Sequence, residues 1–346
     1  MKRADQLNSI HPDKKEKSFG VTKFSDRSYD EYKVLLGRTN SKDYKEILSR
    51  PIPKRNLREE KGDVRKLAVN TPAINWVDKG IVTPIKNQGQ CGSCWANSAT
   101  EQVESQWAFN GINGDLTHGG ALTEFSVQQI NSCTPGCDGC GGGFIKDAFD
   151  YIQSLSNNNQ KGPGIIPQAY APYVQSSYIS CSGKHCTESC SDLNVNTAYT
   201  NQSLCGVYAT ISSSQYAILP CTEDGDSCDS QDMTALANYV AASGTAAICL
   251  NAQNWNSYTG GVMTVSQCGG FGANDQDHCV QLVGYNSTAA TPYWIVRNSW
   301  STDWGESGYI YLEFPTASNP YANACGLAND AMYVTLQNGQ AQFNPN

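Results

Sequence analysis

Fifteen cysteines, none of them in the first 90 residues, constrain this chain more than any other feature. So many sulfurs indicate an oxidising compartment unless they bind metal or clusters. The count is odd, so even a fully paired framework leaves one thiol over or makes one intermolecular bond. A disulfide-rich chain of this kind is expected to carry an apolar leader. The opening MKRADQLNSI has none, and the start is read as a truncation. With 346 residues, 39% hydrophobic and 16% charged, the chain has material for one large or two modest globular domains.

A net charge of −8 argues against an electrostatic partnership with nucleic acid. No uninterrupted apolar run approaches the ~18 residues of a spanning helix, the best being Tyr239 to Leu250. The total hides a partition. Residues 1–69 hold 18 Lys+Arg and 11 Asp+Glu, or +7; the other 277 residues hold 6 and 21, or −15. A basic, cysteine-free head on an acidic, cysteine-rich body reads as two units. Opposite charge would hold them together near neutral pH and loosen as carboxylates protonate. Within the head, Tyr29 to Leu36 reads as helical, with Tyr32, Leu35 and Leu36 on one side, and Lys54 to Lys61 as an exposed, protease-sensitive linker.

Past residue 70 the pattern changes twice. Trp95, Ala99, Val103 and Trp107 recur at i, i+4, which predicts a helix over Cys94 to Phe109 with one buried face. Short β-rich runs follow: Ala246 to Leu250, Cys279 to Tyr285, Tyr293 to Val296 and Gly308 to Leu312. Helices first and strands later predict two lobes with a cleft between them. Residues 181–228 are polar, hold six cysteines and read as a disulfide-stapled insertion.

In Gln88-Gly-Gln-Cys-Gly-Ser-Cys94-Trp95 a glycine-rich loop runs straight into the first helix. Cys94 therefore sits at a helix N-terminus, which favours a thiolate. A nucleophilic sulfur needs a base that pairs with it and later protonates the leaving amine. Four histidines are available: His11 in the head, His118 beside two glycines, His185 in the insertion, and His278. Only His278 opens an apolar strand that can aim it into a cleft. A zinc or redox reading competes for Cys91, Cys94, Cys133, Cys137 and Cys140, two pairs of which have C-x2-C spacing. The ten further cysteines weaken it, and no metal is expected.

QGQCGSCW resembles the active-site signature of papain-like cysteine peptidases. The resemblance extends to INWVDKGIVTPIKNQ (74–88), LTEFSVQQINSC (122–133), GCGGG (139–143), DHCVQLVGY (277–285) and YWIVRNSWSTDWGESGYIYLE (293–313). FGVTKFSD (19–26) resembles the family's G-x-N-x-F-x-D propeptide motif, with Thr22 at the Asn position. The resemblance implies an α+β, two-lobe fold: a helical left lobe, an antiparallel β-barrel-like right lobe and an active-site cleft between. Residues 1–69 would be an inhibitory, N-terminally shortened propeptide and 70–346 the peptidase domain, with maturation between Lys66 and Pro72.

Carried over residue by residue, the resemblance implies Cys94 as nucleophile, His278 as base and acid, and Asn298 as the residue fixing the imidazole. Trp300 would shield that hydrogen bond from water. Gln88 would place its amide N–H in the oxyanion hole. Gly142 and Gly143 would let substrate backbone approach closely. Phe144, Ile145, Cys249 and Cys279 match the S2 wall and Asp330 its floor, and Asp277, beside the base, and Trp300 are expected to contribute to substrate binding. That pocket should accept Leu or Phe and also Arg at P2.

The resemblance further implies disulfides Cys91–Cys140, Cys133–Cys181 and Cys268–Cys325. Cys249 and Cys279, on strands expected to be adjacent, are expected to pair. Cys137, Cys186, Cys190, Cys205, Cys221 and Cys228 would then form three bonds, Cys137 tying the insertion to the helical lobe, with Cys94 left as the spare thiol. Asn97 stands where the family usually has Phe and needs a polar partner. The histidine pair of a dipeptide-releasing occluding loop is absent, which favours an endopeptidase. Asn201 and Asn286 open glycosylation sequons.

The expected partners are peptide and protein substrates, the chain's own propeptide and cystatin-like inhibitors, with no cofactor and a monomeric state. The expected location is a lysosome or acidic vesicle, or the cell exterior. A catalytically silent binding protein is the rival reading, and such a protein would normally have lost Cys94, His278 or Asn298.

Overall fold

The computed structural model describes residues 2–11, 13, 17–37, 69, 71–112, 122–156, 164–174, 181–182, 185–186, 209, 211, 217–218, 233–270, 272, 275–319 and 322–336. The head contributes helix α1 (Lys2–Ser9) and helix α2 (Tyr29–Tyr32), which continues as a 3-10 turn over Lys33–Leu35. Ser28 caps α2 reciprocally with Glu31, so two of the backbone donors at the start of this short helix find partners.

Helices α3 (Cys94–Ile112), α4 (Val127–Cys133) and α5 (Ile145–Ser156) build one lobe. Their core includes Trp95, Val103, Phe125, Ile130, Phe149 and Ile152. The other lobe carries helix α6 (Met233–Ser243) and a sheet. The sheet's strands are β1 (Ala73–Asn75), β4 (Ala217–Ile218), β5 (Ala246–Leu250), β6 (Val262–Met263), β7 (His278–Asn286), β8 (Tyr293–Arg297), β9 (Tyr309–Glu313) and β10 (Asp330–Tyr333). They run in the order β4-β10-β5-β7-β8-β9-β6, with β1 added on β7. Among the described residues every pairing is antiparallel except β6 with β9, and the path is open, its end strands β4 and β6 not joined. A separate two-stranded ribbon joins β2 (Cys181–Ser182) to β3 (His185–Cys186). Three further pieces of the expected insertion are described: Ala209 and Ile211, buried in the helical lobe's core, and β4, which pairs with β10; its other residues, Asn201 among them, lie outside the described residues.

Helix α3 departs from the amphipathic expectation. From Cys94 to Ala108 every residue is buried, polar ones included. The helix lies between the lobes, and partners distant in sequence satisfy its polar side. Ser98 donates to the Val280 carbonyl, Gln102 to that of Thr245, and Gln281 reaches the Glu101 carbonyl and Ser105. Buried charges join in: Lys86 pairs with Glu104 at 3.0 Å, and Arg297 faces Glu101 at 3.5 Å. Burial, only partly offset by Arg297 and Lys86, pushes the Glu101 carboxyl up to about 7. Lys86 is thereby fixed two residues before Gln88, which links the lobe interface to the site.

The head docks chiefly by apolar burial. Leu7, Phe19, Phe24 and Leu35 are buried in one core with Trp255, Tyr258 and Trp300 of the sheet lobe. Full burial of such a side chain is worth ~1.5–3 kcal/mol, whereas an exposed ion pair contributes ~0–1. Among the described residues one ion pair joins head to body, Lys23 to Asp303 at 2.6 Å. The hydrogen bond from Lys23 holds the Asp303 carboxyl below its usual range. That pair's contribution is present at neutral pH and is lost only as pH falls through this depressed value, so it persists in mild acid. In the described contact apolar packing outweighs this single ion pair. Ten of the head's eighteen basic residues fall in 38–68, outside the described residues.

Candidate active site

The glycine-rich loop delivers Cys94 to the start of α3, where its thiol is free and fully buried. Strand β7 begins at His278, on the facing lobe. Backbone N–H groups of Cys279, Gly37 and Trp95 donate toward the Cys94 sulfur, yet burial outweighs them and pushes the thiol up to about 11. Burial likewise lowers His278 to about 4, against the opposing hydrogen bond to Asn298.

The imidazole is held from one side. Its Nε2 lies 2.8 Å from Asn298 Oδ1, which also accepts the Ser299 N–H. An oxygen acceptor there assigns the proton to Nε2. Nδ1 is then the lone-pair nitrogen, and it is buried without a hydrogen-bond partner. Trp300 lies over the ring at a centroid distance of 4.7 Å and Trp255 meets it edge-on at 5.8 Å. Asp277 braces the start of the strand: its carboxylate accepts the Ala252 N–H and its own N–H bonds the Leu250 carbonyl.

Gln88 is wholly buried, and its orientation is fixed by chemistry. Its Oε1 accepts from Ser299 Oγ at 2.6 Å and from Trp300 Nε1 at 3.1 Å, so Nε2 must face the other way. There it donates to two carbonyls at 2.8 Å, those of Cys91 and Leu35. Leu35 belongs to the head. Two residues on, the Gly37 carbonyl accepts the Gly143 N–H at 2.9 Å. The head segment thus occupies hydrogen-bonding groups beside Cys94.

Two glycines are required for this contact. A Cβ on Gly37 would lie 1.7 Å from the Gly92 carbonyl oxygen. One on Gly143 would lie 2.6 Å from the Trp95 ring and 2.7 Å from Cys137 Sγ. Gly142 has φ +120°, a region closed to most side chains. Phe144 follows, half-buried, and Ile145 opens α5 fully buried.

On the sheet, Asp330, Cys249 and Cys279 stand directly opposite one another across β10, β5 and β7. Cross-strand neighbours share a face, so the three form one row, next to the strand start that carries His278. Asp330 is buried at 3% exposure, not a solvated residue near a chain end.

Disulfides join Cys91–Cys140, Cys249–Cys279 and Cys268–Cys325. Cys133 is also bonded; the side chain of Cys181, its expected partner, is not among those described. Cys137 corrects an expectation, being a free thiol rather than a tie to the insertion. It packs beneath Gly143 and faces Asp147 at 3.9 Å, and burial raises its thiol to about 12. With Cys91, Cys133 and Cys140 bonded, the zinc grouping considered from spacing has no free ligand set. Asn286 ends β7, its carboxamide oxygen accepting from Thr288, while the buried His11 ring meets the Val262 carbonyl of the sheet lobe.

Sequence reasoning missed several site residues. Tyr173, Ser93 and Ser299 hold Gln88 and the loop before Cys94, and the Leu35 and Gly37 carbonyls accept from Gln88 and Gly143. No spacing rule marks a tyrosine 85 residues away from the glutamine it holds.

Residues 71–335 match the family profile described as papain family cysteine protease. The chain belongs to that family. It is 33% identical to a cysteine proteinase of Trypanosoma brucei brucei over 86% of this chain and 53% of that protein. It is 30% identical to cysteine proteinase 1 of Dictyostelium discoideum, over 94% of this chain and 81% of that one. The fold resembles digestive procathepsin L 3 of Tenebrio molitor larval midgut, with a TM-score of 0.64 and 26% identity, covering 97% of this chain and 88% of that one. The chain spans about half the length of the first curated relatives it matches.

Proposed function

We propose that the chain is a cysteine endopeptidase in its zymogen form, residues 1–69 acting as propeptide and 70–346 as peptidase domain. One observation carries the reading: Gln88 Nε2, backbone N–H groups and a buried Cys94 converge on a head segment lying where a peptide would lie. Once the head is removed, the His278 Nδ1 takes the Cys94 proton and the thiolate attacks the scissile carbonyl carbon. The carbonyl oxygen becomes an oxyanion that the Gln88 Nε2–H stabilises, and Cys94's own backbone N–H would assist. Collapse expels the amine, protonated by His278, and water hydrolyses the acyl-enzyme with His278 as base. Asn298 keeps the Nε2 proton in place throughout, under Trp300.

Gly143 supplies substrate-backbone bonding, as it does for Gly37. Phe144, Ile145 and the Cys249–Cys279 disulfide form the apolar P2 wall and Asp330 its acidic end. The disulfides suit an acidic vesicle or the cell exterior. Two peptide amides differing only in P2, Leu or Arg, test this after acid treatment. Both should be cleaved, and Asp330→Ala should lose at least about tenfold on Arg while retaining Leu. Failure to cleave either would refute the peptidase reading; an unchanged Arg/Leu ratio would refute only the role of Asp330.

A further inference from the structure

We propose that Asn97 is a positioning residue for the oxyanion hole, acting through Ser93 and Tyr173 on Gln88. The proposal rests on the peptidase reading above and assigns the residue that sets its geometry. Asn97 is 1% exposed, one turn into α3, and its Nδ2 donates to Ser93 O at 3.0 Å and Ser93 Oγ at 3.2 Å. Ser93 Oγ lies 2.7 Å from Tyr173 Oη, and Tyr173 Oη lies 3.0 Å from the Gln88 carbonyl oxygen.

The direction of this chain is fixed at both ends. An amide nitrogen can only donate and a carbonyl can only accept. Asn97 N–H therefore donates to Ser93, the Ser93 hydroxyl to Tyr173, and the Tyr173 hydroxyl to Gln88. Each hydroxyl has one proton, so no link can reverse while both ends stand. The relay ties the residue preceding the nucleophile to the residue carrying the oxyanion donor. From the sheet lobe, Ser299 and Trp300 hold the Gln88 side chain. Tyr173 holds its backbone from the helical side.

An apolar side chain at 97 leaves Ser93 Oγ without its donor and lets the hydroxyl turn back to the backbone, freeing Tyr173 and Gln88 to drift. Removing a whole oxyanion donor costs about 10²–10³ in kcat; displacing one should cost less. Full-length Asn97→Leu, Tyr173→Phe and the double variant, each matured by added wild-type enzyme, provide the test. The expected result is a fall in kcat of about tenfold with KM within about twofold, the mark of an interaction made in the transition state.

A peptide aldehyde, whose adduct places an oxygen in the hole, should bind each single variant about tenfold more weakly. An epoxide, which alkylates Cys94 without forming an oxyanion, should react within about twofold of wild type. The double variant should be no worse than the worse single one, because both break one relay. Unchanged kcat, additive losses, or equal losses for aldehyde and epoxide would overturn the proposal. If Asn97→Leu fails to fold, Tyr173→Phe, which deletes one hydroxyl, carries the same readouts. An inactive wild type overturns the peptidase reading and this proposal with it; an active wild type with indifferent variants overturns this proposal alone.

Discussion

Iodoacetamide should alkylate Cys94 in the intact chain at least about a hundredfold more slowly at pH 7 than in the chain cut between residues 66 and 72. Reactivity follows the thiolate. A thiol at about 11 is ionised to only ~10⁻⁴ at pH 7, against ~10⁻² for one at the ordinary value near 9. The sign comes from burial, which penalises charge on both partners: the sulfur goes up and the imidazole comes down to about 4. An ion pair needs the opposite order. In the covered site both shifts therefore favour a neutral thiol and a neutral imidazole at pH 7. Gly37 and Leu35 lie on the groups that a substrate would use, so departure of the head both readmits water and frees the donors. Equal alkylation rates before and after cleavage would contradict this account of latency.

His278→Ala should lower kcat by about 10⁴ or more while leaving KM within a few-fold. The imidazole is asked to take the thiol proton, to give one to the leaving amine and to activate water, three proton transfers through one group. Loss of one member of such a unit removes most of what the unit provides. The stability cost should be small by comparison, because the neighbouring tryptophans remain packed on each other: Trp255 on Trp304 at 5.9 Å and Trp300 on Trp304 at 5.0 Å. Folding is checked by an unchanged thermal midpoint, and the catalytic loss by steady-state rates on a peptide amide. A variant that keeps more than about a tenth of wild-type kcat would remove His278 from the role of base.

The placement of the candidate cleft residues was legible in the sequence because they sit in short, contiguous motifs. Cys94 follows its glycine loop, His278 opens a strand, and Asn298 and Trp300 lie in one block. Strand β5 ends where the β-rich run does, at Ala246 and Leu250. What was not legible depends on partners far apart in the chain. Helix α3 reads as amphipathic because Ser98, Gln102 and Glu101 look solvated; they are buried because Val280, Thr245 and Arg297 of the other lobe receive them.

The basic charge of the head pointed to an electrostatic clamp, whereas Phe19, Phe24 and Leu35 carry the described contact. Charge is summed from composition, but packing requires knowing which face meets which. Cys137 failed for the same reason: counting assigns partners by parity, and proximity does not follow parity. Asn97 stands out in the sequence, but its path through Ser93 to Gln88 runs by way of Tyr173, 80 residues from Ser93 along the chain.

The central claim is that a latent Cys94 thiol becomes the nucleophile when the head is removed. It is tested most directly by holding the full-length chain at mildly acid pH with an epoxide peptide and mapping the adduct by mass. The account predicts one adduct, on Cys94, in a chain shortened by about seventy residues, and neither adduct nor shortening in purified Cys94→Ala. An adduct on Cys94 in the uncut chain, or acid shortening of Cys94→Ala free of other proteases, would contradict it.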